Sequence, residues 1–174
     1  MIRSASVVAW CGLLLLSATG TTAKAESTTW IRGIYTRESP RPVPATEEKA
    51  WQRAISLAEA TPDAFVLVGT GRSMQPLYES DTILVLRQLP FMELQRGQTV
   101  LYRNKRGKII AHVLVSRTRD GWRARGLNNS IHDMEPVQAE NLVGIVLAAF
   151  KPVSVGPDGK RHVIGAATDR YTAK

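Results

Sequence analysis

Cysteine is almost missing from this chain: Cys11 is the single one among 174 residues. It lies inside the first apolar run, directly after Trp10, rather than behind a small residue at the end of that run, so lipid attachment there is excluded. Beyond that run a disulfide, a thiolate zinc site and a cysteine nucleophile are all excluded. Histidine is scarce as well, and His112, His132 and His162 lack the spacing that places ligands on one helix face, so no metal site is implied. Aromatic residues reach only 6%. Acidic residues are outnumbered, 15 against 23 lysines and arginines.

The amino terminus reads as an export signal. Arg3 supplies the positive start, residues 7–16 are apolar and uncharged, and Ala23-Lys24-Ala25 has the small-x-small form of a cleavage site. Residues 1–25 are therefore expected to be removed, leaving a basic protein outside the cytoplasm, periplasmic or extracellular. The apolar run is shorter than the roughly 20 residues that cross a bilayer. Export turns the basic charge away from nucleic acid and towards an anionic membrane surface or a cell-envelope polymer.

Apolar residues at 44% and charged residues at 22% suit one folded domain. Residues 26–45 are polar and irregular, with Pro40, Pro42 and Pro44 at alternate positions, and read as an extended linker. Within residues 46–62, Trp51, Ala54, Ile55 and Ala58 recur at helical spacing, which predicts an amphipathic helix over 47–59 with Thr46 as its cap and Pro62 beyond its end. Over 63–165 the pattern changes to short strands, expected at 65–68, 82–86, 99–103, 109–116, 122–125 and 142–150. Arg106-Gly107 and Asp120-Gly121 mark turns. A last hairpin is expected across Pro157-Asp158-Gly159, pairing 151–155 with 161–164, and 166–174 reads as a tail. The fold class is mainly β, with one amphipathic helix ahead of it.

One stretch carries chemistry. In Gly69-Thr70-Gly71-Arg72-Ser73-Met74-Gln75-Pro76-Leu77 a strand ends in glycines and presents a serine. Glycines allow strained backbone and close approach of a substrate to main-chain N–H groups, which an acyl-transfer site needs.

Further segments follow in register. Ser80-Asp81-Thr82-Ile83-Leu84-Val85, Arg96-Gly97-Gln98-Thr99-Val100, Ile110-Ala111-His112-Val113-Leu114, Arg125-Gly126-Leu127-Asn128-Asn129 and Leu142-Val143-Gly144 complete a series over 65–145. With the Gly-x-Ser-Met-x-Pro box, this series resembles the type I signal peptidases and the LexA-type autoproteases. The resemblance implies their catalytic β domain of short twisted strands, a polypeptide substrate with small residues before the cut, and no cofactor. It implies Ser73 as nucleophile and His112 as general base. Histidine at that position, where bacterial signal peptidases carry lysine, is the pattern of the endoplasmic-reticulum type. In that type an aspartate follows the Gly-Asp-Asn box, which puts Asp133 in the role of orienting His112. The resemblance also implies that Gly71, Ser73, Met74 and Pro76 frame the oxyanion and substrate surface, with the Ser73 N–H as a donor.

The chain departs from the pattern at Ser80 for a glycine, Gln98 for an acid, Val113 for an arginine and Leu127 for the box aspartate. Two readings follow: an active exported serine endopeptidase, or an inactive module of the same fold that binds extended peptides. A repressor is not expected, because no DNA-binding helix pair precedes the domain and export removes it from nucleic acid.

Overall fold

The computed structural model describes residues 29–155 and 161–163. The expected signal, the turn at Pro157-Asp158-Gly159 and the tail lie outside these residues.

The chain opens with two very short strands, β1 (Trp30–Ile31) and β2 (Ile34–Tyr35), then β3 (Val43–Ala45), helix α1 (Glu47–Glu59), and β4 (Ala64–Val68). There follow β5 (Ile83–Arg87), β6 (Thr99–Arg103), β7 (Ile109–Thr118), β8 (Gly121–Arg125), β9 (Leu142–Val155) and β10 (Arg161–Val163). The protein is mainly β, as its alternating short runs predict.

Glu47 and Glu48 sit in the first turn of α1, where the helix dipole favours negative charge. Thr46 contributes its carbonyl, which accepts the Ala50 N–H at 2.8 Å, but its side chain makes no cap bond. The buried stripe also differs from the expected one. Ala50 and Ala54 are fully buried against Ile83, Val85 and Phe150, while Ile55 is 46% exposed. Two alanines let the helix settle close to the sheet, and that seating turns the bulkier Ile55 outward.

The main sheet runs in the order β4-β5-β9-β6-β7-β8, each neighbour antiparallel. β9 continues past the expected end at Phe150: β3 lies parallel to it at Phe150 to Pro152, and β10 pairs antiparallel with Val153 to Val155. The expected pairing of a last hairpin is thus present. β5 is buried on both faces. Ile83 and Val85 face α1, whereas Leu84 and Leu86 join Met74, Leu77, Tyr78, Leu101, Val113 and Leu127 in a second cluster. A third cluster forms where β6 and β7 turn their other face, with Val100, Tyr102, Leu114, Trp122, Ala124 and Val137. His112 belongs to this face, because it pairs with Val100 and lies two residues from Leu114.

The expected linker over 26–45 is corrected by the structure across its described part, which is docked on the body. Ile34 enters the core beside Met74 and Leu77. Ser39 Oγ donates to the Gly97 carbonyl at 2.7 Å and lies 2.7 Å from Thr99 Oγ1. Tyr78 Oη donates to the Pro40 carbonyl at 2.9 Å. The alternating prolines do hold an extended path, but that path is a strap whose polar groups find partners in the sheet.

Ser39 is 3% exposed, so its removal strands the Gly97 carbonyl without its hydroxyl donor. Ser39→Ala is expected to cost about 1–2 kcal/mol of stability in a denaturant titration. An unchanged midpoint would contradict the docking of the strap.

Candidate active site

β4 and β5 are joined by the glycine-framed turn. Its ladder continues through Gly69 N–H to the Thr82 carbonyl at 2.8 Å and Asp81 N–H to the Gly69 carbonyl at 2.9 Å. Gly71 then takes φ of +92°, a conformation that a side chain would strain, and the chain swings out. Ser80 Oγ donates to the Gly71 carbonyl at 3.2 Å, so the residue that departs from the resembled pattern here ties the turn down. Met74, Leu77 and Tyr78 anchor the turn in the core from below, and Ser73 is left half-buried.

On the other side of the same cleft lies the start of β7. The cleft has a volume of about 390 Å³ and is lined by Gly71, Ser73 and Met74 from the turn, and by Ile110, Ala111 and His112 from the strand. The structure therefore brings Gly71, Ser73, Met74 and His112 together. Pro76 is not part of this cleft. It is exposed and lines a separate groove with Trp30, Arg41 and Pro42.

Asp133 completes the set. After β8 the chain turns at Gly126, with Asn129 N–H donating to the Gly126 carbonyl at 3.0 Å, and returns along β8, where Asp133 N–H donates to the Ala124 carbonyl at 2.9 Å. This return puts Asp133 Oδ2 2.6 Å from His112 Nδ1, with the two side chains only 13% and 6% exposed. Asp133 in carboxylate form can accept only, so Nδ1 carries the proton in this pair and the lone pair is left on Nε2.

Gly126 explains how close the parts come. A Cβ built at this position would lie 2.7 Å from His112 Nε2 and 2.7 Å from the Asn129 amide nitrogen. Two residues later the Asn128 N–H donates to the Ser73 carbonyl at 2.7 Å. One short segment therefore meets both the Ser73 turn and the imidazole. Asn128 Oδ1 in turn accepts from Arg32 of the strap.

Ser73 Oγ makes no hydrogen bond to another described residue, and the Ser73 N–H likewise donates to none. Both are available to a ligand in the cleft. Leu127, in place of the box aspartate, and Val113, in place of an arginine, are fully buried core residues. Gln98 Oε1 accepts the Gln95 N–H at 2.8 Å and shapes the turn before β6.

Two residues were missed by sequence reading. Asn129 lines the cleft beside His112. Tyr102, 1% exposed, donates its hydroxyl to Asp133 Oδ2 at 2.8 Å. Burial, and then the hydrogen bond and charge of Asp133, push the Tyr102 phenol well above its ordinary range, so it remains a donor at neutral pH. Its signal in the sequence is the β6–β7 register, which sets Tyr102 two residues from the partner of His112. Among the described residues, no three His, Cys, Asp or Glu side chains converge as a cation site would require.

Comparison with protein-family models, with curated proteins and with solved structures returned no match.

Gly126→Ala is expected to cost about 1–3 kcal/mol, the usual penalty for forcing an extra group into a filled site. It is also expected to displace the imidazole, seen as loss of the low-field His112 Nδ1–H resonance in NMR. Wild-type stability with that resonance unmoved would contradict the packing described.

Proposed function

We propose that this chain is an exported serine endopeptidase resembling the type I signal peptidases of the histidine type. The observation that carries the reading is the 2.6 Å contact between His112 Nδ1 and Asp133 Oδ2 on the wall of the cleft that Ser73 lines. A histidine oriented by a largely enclosed carboxylate, sharing a cleft with a serine on a glycine-framed turn, is the set of groups that acyl transfer to serine needs.

In this reading an extended peptide enters between the turn and the start of β7. β6 occupies one edge of β7 from Ile109 to Val113, while β8 pairs with the other edge only from Val113 onward. The remaining edge next to the cleft is open to main-chain hydrogen bonds from a substrate strand. Ser73 Oγ attacks the scissile carbonyl carbon and its proton passes to His112 Nε2. The imidazolium so formed is stabilised by the Asp133 carboxylate. The oxyanion is met by the Ser73 N–H, which is free of other described partners. Collapse expels the amine, which takes the proton from Nε2. Water, deprotonated by the same nitrogen, then releases the acyl group from Ser73.

Export rests on Arg3, the apolar run and Ala23-Lys24-Ala25. No helix among the described residues is long and apolar enough to cross a membrane.

One observation favours a second reading, an inactive peptide-binding module: Ser73 Oγ has no bond to His112 in this arrangement. Such bonds are often long without substrate and tighten when it binds. None of the departures at Ser80, Gln98, Val113 and Leu127 interrupts the hydrogen bond of His112 to Asp133.

The two readings separate in one experiment. The purified chain and its Ser73→Ala variant are incubated with a diverse peptide library, with and without lipid, and the products read by mass spectrometry. Cleavage by wild type alone, at least 1,000-fold above the variant, is the expected result. Undiminished turnover by Ser73→Ala would overturn the mechanism, and peptide binding without cleavage by either would transfer the assignment to the module.

A further inference from the structure

His112 and Asp133 account for a proton path, but a carboxylate that is 13% exposed needs a further donor to hold it in one orientation. One is in place. Tyr102 Oη donates to Asp133 Oδ2, the same oxygen that receives His112 Nδ1–H, at 2.8 Å and 2.6 Å respectively. Tyr102 reaches it from β6 and His112 from β7, the strand paired with it, while Asp133 arrives from the loop after β8. The three groups thus come from three separate parts of the sheet, and the carboxylate oxygen is where they meet.

We propose that Tyr102 is a positioning residue of this site, which fixes Asp133 and draws charge from Oδ2, so that His112 is held in the tautomer that leaves Nε2 free. The inference rests on the peptidase reading for its catalytic consequence, though the bond itself does not. Tyr102 does not touch the cleft, since it is fully buried and absent from the cleft wall. It acts through Asp133.

Two donors on one oxygen share its electron density. When the phenol is present, Oδ2 is held between two donors and the carboxylate keeps one orientation. When it is absent, Oδ2 becomes the stronger acceptor for the Nδ1 proton, but the carboxylate is free to turn about its bond. The charged and titratable groups around Tyr102 are Asp133, Glu135 and, across the shared oxygen, His112. Glu135 is engaged elsewhere, as its Oε2 accepts the Lys105 N–H at 2.8 Å. The raised phenol described above keeps Tyr102 protonated throughout the pH range in which histidine titrates.

Tyr102→Phe removes one oxygen and keeps the ring that packs in the third cluster, so the fold is expected to persist, as circular dichroism and thermal melting would register. In the full chain the His112 Nδ1–H resonance is expected to move to lower field, because the remaining bond to Oδ2 strengthens. In the peptidase assay kcat/KM is expected to fall about tenfold, because Asp133 has lost one of the two bonds that orient it. A folded Tyr102→Phe whose Nδ1–H resonance and kcat/KM both match wild type would overturn the proposal and reduce Tyr102 to packing. A shifted resonance in a protein that cleaves nothing would count against the peptidase reading while upholding the positioning role.

Discussion

The contact of His112 Nδ1 with Asp133 Oδ2 is the constraint on which the rest of the arrangement depends. A carboxylate this enclosed is tolerable only when paired and hydrogen-bonded, so the loop that delivers Asp133 cannot wander. It is pinned by Asp133 N–H on the Ala124 carbonyl and, further on, by the reciprocal bonds between Trp122 and Val137 at 2.8 Å. Gly126 then has to be glycine, because the same return brings the backbone against the imidazole. From that backbone one more bond, Asn128 N–H to the Ser73 carbonyl, fixes the Ser73 turn. Fold and site are in this sense one network, with β7 and β8 as its frame.

The strap over residues 29–45 extends the network outward. Arg32 bonds Asn128, Ile34 packs with Met74, and Ser39 and Pro40 engage the sheet and Tyr78. The residues that hold Ser73 from one side are therefore braced from the other by a segment whose strands, β1, β2 and β3, are very short. The departures from the resembled pattern make physical sense in this setting: Leu127 and Val113 fill core volume where a charge would be stranded, and Ser80 closes the turn through a hydrogen bond.

Much of the fold was legible in the sequence. The strands announce themselves by alternation and by glycine turns, and the bounds of α1 and β6 match their expected ranges, because short local patterns decide them. The strap was not legible. Alternating prolines impose the same extended backbone on a solvated tether and on a docked one. What distinguishes them is a set of single long-range partners such as Ser39 with Gly97, which no local pattern encodes. For the site, the glycines single out Ser73 as a serine presented on a turn, whereas its role and those of His112 and Asp133 came from resemblance to a family. Tyr102 carries no local signal within the strand expected at 99–103, and its meaning depends on the β6–β7 register and on a loop 31 residues further along the chain. Pro76, a member of the same motif, lines a different groove from Ser73.

The most direct test of a serine activated by this network is covalent labelling of the full chain with a serine-directed fluorophosphonate, followed by peptide mapping. A single adduct on Ser73, lost in His112→Ala and strongly slowed in Asp133→Asn, is the result this account predicts. Failure to label, or labelling spread over other serines at rates indifferent to His112, would contradict it.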